Sequence, residues 1–470
     1  MSNAIVLYIF HRDFRLHDNK TLTEAVAFCR EHKATLLPVF IFTPQQVKDV
    51  ESRSNSSRSR SRSRGGSKGN PYKSNNSVQF MITSLKELTE DIQADGGSLK
   101  FFYGDTIETV EDILHKLPVK AVFETLDYTP FAKDRTAGLK KLLEEAGSKY
   151  FGVHDTYLTA PGSVLTGTGR TYQKFTPFYE AARKRHIESP LEKPREIPWY
   201  KGPSPITQVD PMKFMPHPMN DDIHVRGGRK EGLALLRKVH EIKYSEVHDT
   251  PSKETTNLSA HNHFGTIGIR EFHKAAEGKH DLIRQLYWRD FYGHICAAFE
   301  DLYGISPYKF QAEGETGYAG WSKDRATFNA WCRGETGVDI VDAAMQQLLQ
   351  TGYMHNRARL IVSNWLVKDK KIYWRWGERF FAKHLVDYDF AQNFGNWCWV
   401  ASVLPFSQAP FRKLDAETQA KKLNSQPPID AGVETLGDRT SNQPRTSKQD
   451  NQPRTSNQPR PRCRRNTELR

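Results

Sequence analysis

The chain has 470 residues, of which 37% are hydrophobic and 11% aromatic, so it is long enough for two or three domains with sizeable cores. It contains no run of about 18 apolar residues, which argues against a membrane span, and its N-terminus lacks the features of a signal peptide. Five widely spaced cysteines without a CxxC pair favour a reducing compartment and argue against a disulfide framework and against a zinc or iron–sulfur site built from clustered thiolates. We therefore expect an intracellular protein, in the cytoplasm or the nucleus, that binds no metal.

Most of the net charge of +13 lies in two low-complexity segments. The Arg-Ser tract at 51–70 has six Lys or Arg and one acidic residue, and the NQPR-containing segment at 437–470 has nine and three. The rest of the chain is nearly neutral, so bulk charge does not predict a nucleic-acid surface on the folded body. Neither composition can bury an apolar core, so we predict a disordered insertion at 49–76 and a disordered basic tail at 426–470. RNA binding or nuclear import by these segments is the alternative.

Residues 1–157 alternate between apolar runs and segments with helical spacing. The apolar runs predict strands at 5–10, 34–42, 98–103, 119–125 and 149–155. The segments between them predict helices at 21–30, 78–93, 106–117 and 131–147. Strands that alternate with helices indicate βαβ units, so we predict an α/β domain with a doubly wound parallel sheet. No GxGxxG motif follows the first strand, so a dinucleotide site of the usual Rossmann kind is not predicted.

Residues 158–220 are rich in Pro, Gly and Tyr and predict a long ordered connector. Helical patterns dominate residues 221–425 and predict an all-α second domain. Eight of the nine tryptophans lie in this second domain. Core packing is the usual role of a buried tryptophan; a stacking surface for bases or a route for electrons is the alternative.

Two segments of the helical domain carry polar residues that could bind a ligand. The first, at 255–259, offers hydroxyl and amide groups just before a helical pattern, where they could cap the helix or bind phosphate; capping is the simpler interpretation. The second contains Arg359, four residues after His355 on an otherwise apolar helix. A buried arginine needs an acidic partner, and Asp387 and Asp389 are the candidates. Either a structural ion pair or a ligand clamp would explain this arrangement.

Four sequence motifs resemble the photolyase/cryptochrome flavoproteins, most closely the class I cyclobutane pyrimidine dimer photolyases. They are FHRDFRLHDNKTL at 10–22, QLYWRDFYGH at 285–294, NAWCRGETGVDIVDAAMQQLLQTGYMHNRARLIVSNWLVKD at 329–369, and WRWGERFFAKHLVDYDFAQNFGNWCWVAS at 374–402. The resemblance runs in order from about residue 5 to residue 422. It implies an N-terminal α/β domain and an all-α C-terminal FAD-binding domain. It also implies room for a second, light-harvesting chromophore of folate or flavin type, whose identity the sequence does not tell.

The resemblance also implies roles for individual residues. It assigns cofactor binding to Tyr244, Thr255, Thr256, Asn257, Leu258, Ser259, Arg359, Asp387, Tyr388, Asp389 and Asn393. It assigns electron transfer to Trp321, Trp374 and Trp397. Asn393 is expected beside the reactive ring nitrogen of the flavin, as part of the same catalytic group. Contacts with DNA or its lesion are assigned to Gln285, Trp288, Arg289, Asn356, Arg357, Trp399 and Gln419.

The implied function is blue-light-driven repair of cyclobutane pyrimidine dimers in UV-damaged DNA, a deoxyribodipyrimidine photo-lyase activity, by a monomer. Gln285 and Leu360 replace the Glu and Met that cyclobutane-dimer enzymes usually carry. Asn356 replaces the second His of the (6-4) photolyases, which removes the presumed proton donor for (6-4) chemistry. Two alternatives within the family stay open: a (6-4) photolyase, and a cryptochrome-type light receptor without repair activity.

Overall fold

The structure is a computed structural model that describes residues 4–48, 70, 72–299, 320–403 and 413–422. These residues belong to one unit, Met1–Ala431, and a second unit, Gly432–Arg470, lies outside the described residues. The predicted basic tail also lies outside them, as does most of the predicted insertion. The end of that insertion is folded, however, because Ser74 caps a long helix that begins at Asn75.

Five parallel strands form one sheet in the order β3-β2-β1-β4-β5. They are Ile5–Ile9 (β1), Thr35–Phe42 (β2), Lys100–Tyr103 (β3), Val119–Thr125 (β4) and Lys149–Val153 (β5). The helices of this half are Lys20–His32 (α1), Pro44–Val47 (α2), Asn75–Ala94 (α3), Thr106–Leu114 (α4) and Pro130–Glu145 (α5). Val6 and Tyr8 of β1 face one core, and Leu7 and Ile9 face another. Burial on both faces is typical of a doubly wound sheet, so the predicted α/β fold is confirmed.

The second half is helical, as predicted. The connector contributes Phe175–Ala182 (α6) and a 3₁₀ turn at Pro211–Phe214. The helices that follow are Arg229–Lys238 (α7), Tyr244–Val247 (α8), Ser259–Phe264 (α9), Ile269–Ala275 (α10), His280–Ala298 (α11), Arg325–Arg333 (α12), Asp339–Thr351 (α13), Asn356–Asn364 (α14), Trp374–His384 (α15), Phe390–Ala401 (α16) and Ala416–Lys422 (α17). A 3₁₀ turn at Val239–Glu241 follows α7, and a π-helical turn at Trp365–Asp369 follows α14. Among the described helices, none is both long enough and apolar enough to cross a membrane.

A buried ionic cluster joins the two halves. Arg270 of α10 pairs with Asp18 and with Asp155 of the N-terminal half, each at 2.7 Å. Arg15 pairs with the same Asp155. All four side chains are buried, and removal of one member of a buried ion pair costs about 3–5 kcal/mol. The cluster therefore holds the sheet half against the helices that build the candidate site.

Candidate active site

A cleft of about 500 Å³, a volume that includes space open to solvent, lies beside α14 and α16. Gly352 adopts a left-handed φ of 68° at the end of α13, which turns the chain into α14. Asp389 caps α16, because its carboxylate accepts a hydrogen bond from the backbone N–H of Gln392 at 3.1 Å. The structure thereby brings seven of the predicted residues to the cleft: Asn356, Arg359, Asp387, Tyr388, Asp389, Asn393 and Trp397.

Arg359 and Asp387 form the predicted ion pair. The guanidinium Nη2 lies 2.9 Å from one carboxylate oxygen of Asp387 and 3.1 Å from the other. Arg359 Nε also donates to the carbonyl oxygen of Met354 at 2.8 Å, which fixes the side chain over the start of α14. Ser259 Oγ donates to Asp387 at 2.6 Å. This last contact links the cleft to the Thr255–Ser259 segment.

Asp389 pairs with Arg12, a residue that the sequence interpretation did not single out. Arg12 Nη2 lies 2.5 Å from Asp389 Oδ2, and Nδ1 of His263 lies 3.3 Å from the same oxygen. Burial alone would raise the pKa of Asp389, but the charge of Arg12 and the hydrogen bond with His263 together hold it well below its usual range. Arg12 lies inside FHRDFRLHDNKTL, so the motif was visible, but nothing in its spacing indicated a partner in the other half.

Asn393 is held by a buried carboxyl group. Its amide Nδ2 donates to the backbone carbonyl oxygen and to the side-chain Oε1 of Glu378, both at 3.1 Å. Burial raises the pKa of Glu378 to about 7, although Arg375 and Arg379 oppose this. The second oxygen of Glu378 is buried and has no hydrogen-bond partner among the described residues. Glu378 can therefore carry a proton near neutral pH beside Asn393.

The Thr255–Ser259 segment does not act as a plain helix cap. The N-cap residue of α9 is Leu258, and no side chain caps this helix. Asn257 adopts a left-handed φ of 53°, and its Oδ1 is buried without a hydrogen-bond partner among the described residues. A buried acceptor without a donor is costly, and a ligand that donates a hydrogen bond would relieve that cost. Thr255 lies 3.5 Å from the hydroxyl of Tyr353.

Two tyrosines form further aromatic contacts near the cleft. The ring of Tyr388 stacks on Tyr72, with centroids 6.2 Å apart and planes 13° apart. Tyr72 was missed because it follows directly on the Arg-Ser tract and fell within the predicted insertion. Tyr244, a predicted cofactor residue, stacks on His248 at 5.4 Å, and burial raises its pKa to about 12.

The predicted electron-transfer tryptophans belong to one hydrophobic cluster of the helical half. Trp397 and Trp374 are buried in the helical core, and Trp321 packs against that core from the edge. Tyr373 lies between the outer two, 6.5 Å from Trp374 and 6.4 Å from Trp321 by ring centroids. Trp397 also contacts Trp331 at 6.3 Å, a residue to which the sequence interpretation gave no role.

Several residues that were predicted to contact DNA make contacts with other residues of the protein. The ring of Trp288 stacks on Phe175 of α6 at 3.6 Å with planes 6° apart. Arg289 donates to the carbonyl oxygens of Thr156 and Asn262, at 2.6 and 3.1 Å. In addition, Arg357 pairs with Asp249. Gln285, Trp399 and Gln419 are half-buried. The roles of these residues toward DNA remain predictions.

Comparisons with known proteins identify the family. A model described as "DNA photolyase" matches residues 6–196, and one described as "FAD binding domain of DNA photolyase" matches residues 282–428. The chain is 30% identical over 447 residues to a deoxyribodipyrimidine photo-lyase of Synechococcus sp., covering 90% of this chain and 86% of the relative. It is 31% identical over 465 residues to a deoxyribodipyrimidine photo-lyase of Neurospora crassa, covering 89% and 70%. An archaeal photolyase from Sulfolobus tokodaii, solved with two FAD molecules, has a TM-score of 0.75 and 32% identity, with 89% and 87% coverage.

The fold and the cleft define a flavoprotein with an FAD-binding helical half. The chain belongs to the DNA photolyase family.

The residues of the cleft fit FAD, which has a planar ring system and a polar phosphate-bearing part. Phe381, Leu385 and Trp397 supply apolar walls, and the Arg359–Asp387 pair and Asn393 supply polar contacts. Oδ1 of Asn257, which has no hydrogen-bond partner among the described residues, supplies a further acceptor two residues before Ser259, whose hydroxyl donates to Asp387. An apolar cavity with a few convergent polar groups is the usual form of a cofactor site. Within the described ranges, no group of three His, Cys, Asp or Glu side chains could hold a metal ion.

Proposed function

We propose that this chain is a deoxyribodipyrimidine photo-lyase that repairs cyclobutane pyrimidine dimers in UV-damaged DNA under blue light. The observation that carries this proposal is the cleft itself. It combines the Arg359–Asp387 ion pair with an amide, Asn393, that a protonatable carboxyl group positions, and with a buried indole, Trp397. The named photo-lyases among the relatives support the same reaction.

The chain supplies position and charge, and the cofactor supplies the light-driven one-electron chemistry. The Arg359–Asp387 pair would present one positive and one negative charge to a bound FAD. Glu378 orients the amide of Asn393 through Oε1 and keeps a proton available at its carboxyl group near pH 7. With FAD bound, the apolar walls would shield these polar contacts from water and so strengthen them.

On the substrate side, Asn356 lines the cleft, and Trp288 and Trp399 present half-buried indoles. A dimer must leave the base stack to reach such a cleft, and extrusion costs less for a damaged pair than for an intact one. Aromatic side chains stabilise unstacked bases by about 1–3 kcal/mol each. We propose that these indoles receive the flipped dimer, with Asn356 contacting its polar edge.

Asn356 favours cyclobutane dimers over (6-4) products. A (6-4) repair reaction needs a proton donor at the lesion, and a neutral amide is too weak an acid for that role. His355, the neighbouring imidazole, faces the protein: its Nδ1 accepts a hydrogen bond from the backbone N–H of Arg357 at 3.1 Å, and burial lowers its pKa to about 4. It is therefore uncharged at neutral pH.

The test uses two duplexes, one with a single cyclobutane thymine dimer and one with a single (6-4) product. Each is incubated with the FAD-loaded protein and a thiol reductant, in blue light and in the dark. We expect restored thymines only in the light and only from the cyclobutane dimer. Repair of the (6-4) duplex alone would reassign the substrate, and repair of neither duplex would favour a receptor function.

A further inference from the structure

The loop between α15 and α16 carries three consecutive residues that line the cleft: Asp387, Tyr388 and Asp389. None of the three lies in a helix or a strand. One backbone hydrogen bond, from the N–H of Val386 to the carbonyl oxygen of Gly352 at 2.8 Å, ties the loop to the turn before α14. The directions of the three cleft residues therefore depend strongly on the contacts that their own side chains make.

The side chains of this loop are held from different parts of the molecule. Asp387 and Asp389 each pair with an arginine, as described above. Between the two acids, the ring of Tyr388 stacks on Tyr72, with centroids 6.2 Å apart and planes 13° apart. Burial, together with the charge of Glu378 and the neighbouring Tyr72, raises the pKa of Tyr388 well above its usual value. Because a neutral side chain cannot be held by an ion pair, the stack on Tyr72 sets its direction.

Tyr72 itself lies in a defined turn that is anchored on the helical half. Oδ1 of Asn70 accepts a hydrogen bond from the backbone N–H of Tyr72 at 2.8 Å, and the carbonyl oxygen of Asn70 accepts one from the N–H of Lys73 at 3.2 Å. At the start of α3, Asn76 Nδ2 donates to the carbonyl oxygen of His384, the last residue of α15, at 2.6 Å. The turn is therefore attached to the helix that leads into the loop.

Tyr72 also contacts a second side chain near the site, Arg379 of α15. Burial alone would lower the pKa of Arg379, but a hydrogen bond with Tyr72 and nearby charges, that of Glu378 among them, raise it. Glu378 in turn accepts a hydrogen bond from the amide of Asn393 at 3.1 Å. The hydroxyl of Tyr72 therefore contacts the helix whose Glu378 holds Asn393, and its ring contacts the loop.

We propose that Tyr72 is a positioning residue of the FAD site, which acts through Tyr388 by fixing the loop that presents Asp387 and Asp389 to the cleft. The inference rests on the proposed function only in that the cleft binds FAD, and it does not require DNA repair. Tyr72 is not among the described residues that line the cleft, so its effect on FAD is indirect. Loss of one aromatic stack should lower FAD affinity about twofold to tenfold.

The test is a double-mutant cycle on FAD affinity, measured in the dark and without DNA. Equilibrium dialysis gives the Kd of FAD for the wild type, Tyr72→Ala, Tyr388→Ala and the double variant. If Tyr72 acts through Tyr388, Tyr72→Ala lowers the affinity about twofold to tenfold in the wild type and has no further effect once Tyr388 is replaced. An equal loss in both backgrounds would show a general effect on the fold and would overturn the proposal, as would an unchanged affinity in Tyr72→Ala.

Two further variants separate the stack from the hydroxyl and from the fold. Tyr72→Phe keeps the ring, so it should bind FAD as the wild type does; a loss as large as that of Tyr72→Ala would assign the effect to the hydroxyl and overturn the role of the stack. Tyr200→Ala is the matched control in the sheet half, where the Tyr200 hydroxyl donates to the carbonyl oxygen of Pro203 at 3.2 Å. It should leave FAD affinity unchanged.

The visible circular dichroism of bound FAD gives a second readout, because it depends on how the protein surrounds the flavin ring. At saturating FAD, Tyr72→Ala should change this spectrum, and Tyr200→Ala should not. A spectrum that is identical in Tyr72→Ala and the wild type would contradict a positioning role. A wild-type protein that binds FAD but repairs no dimer would contradict the proposed function and leave this inference intact, whereas one that binds no FAD would overturn both.

Discussion

Asp389 and Arg12 are 377 residues apart in the chain, yet their side chains meet at 2.5 Å in a buried site. One belongs to the cap of α16 at the cleft, and the other follows the first strand of the sheet. The sheet half therefore contributes a positive charge to Asp389, which lines the cleft. This contact leads us to expect that the α/β half, although it lacks a usual dinucleotide motif, affects the proposed FAD site.

Replacement of Arg12 should destabilise the protein and weaken FAD binding together. Arg12→Ala leaves the Asp389 carboxylate buried without its main partner, which costs about 3–5 kcal/mol of unfolding free energy. Urea denaturation and an FAD titration measure the two effects. Lys20→Ala removes an exposed pair with Glu188 at 3.2 Å and serves as the control, with an expected cost below about 1 kcal/mol. Equal costs for the two variants would contradict the assigned role of Arg12.

Glu378 should make stability depend on pH near neutrality. Its pKa rises from an ordinary value of 4.5 to about 7 on folding, because burial disfavours the charged form. Between these values the folded state holds a proton that the unfolded state has lost, so stability falls as pH rises through this window. The loss amounts to about 3 kcal/mol over the window. The wild type should therefore lose stability relative to Glu378→Gln between pH 4.5 and 7.

Chemical denaturation at several pH values measures this difference. Glu188→Gln, at an exposed carboxyl group, is the matched control and should run parallel to the wild type. Curves for the wild type and Glu378→Gln that also run parallel would show that Glu378 is already ionised in the folded protein. Other titrating groups affect both proteins equally and cancel in the comparison.

Arg359→Gln should lower FAD affinity about tenfold or more, since a hydrogen bond to a charged group contributes about 1.5–3 kcal/mol. The variant breaks the contacts with Asp387 and with the carbonyl oxygen of Met354. Equilibrium dialysis gives the affinity. Arg333→Gln removes an exposed arginine that pairs with Glu335 and should bind FAD as the wild type does. An unchanged FAD affinity in Arg359→Gln would show that the Arg359–Asp387 ion pair does not contribute to FAD binding.

Phe175→Ala should weaken discrimination between damaged and intact DNA. The Phe175 ring supports one face of Trp288, and an aromatic pair contributes about 0.5–1.5 kcal/mol. We expect a loss of about threefold to tenfold in affinity for the dimer-containing duplex, with little change for intact DNA. Phe131→Ala, at a ring that is 48% exposed, is the control. An equal loss for both duplexes would point to general misfolding of the connector.

The fold could be predicted from the sequence because the apolar pattern of each strand is a local property of the chain. All five strands of the sheet were predicted as apolar runs, since both faces of β1 are buried and neighbouring residues all need apolar side chains. The end of the disordered insertion that follows the Arg-Ser tract was predicted less accurately. Composition predicts disorder through residue 76, but Ser74 and Asn75 already begin α3, because a polar cap suits a helix start as well as a loop.

Only some of the residues of the cleft could be predicted from the sequence. Asp387, Asp389, Asn393 and Trp397 lie close together in the sequence, so their shared location followed from one helix and its cap. The partners that tune them, Arg12 and Glu378, come from other elements, and no periodicity connects them to the site. Burial of Glu378 on α15 is a property of packing, and so is its raised pKa.

Light-dependent repair as a function of FAD content tests whether this chain is an FAD-dependent photo-lyase. The protein is loaded with increasing amounts of FAD and reduced, and restored thymines per protein are counted on a cyclobutane-dimer duplex in blue light and in the dark. We expect repair only in the light, in proportion to the fraction of protein that holds FAD. FAD-saturated, reduced protein that leaves the dimers intact in the light would contradict it.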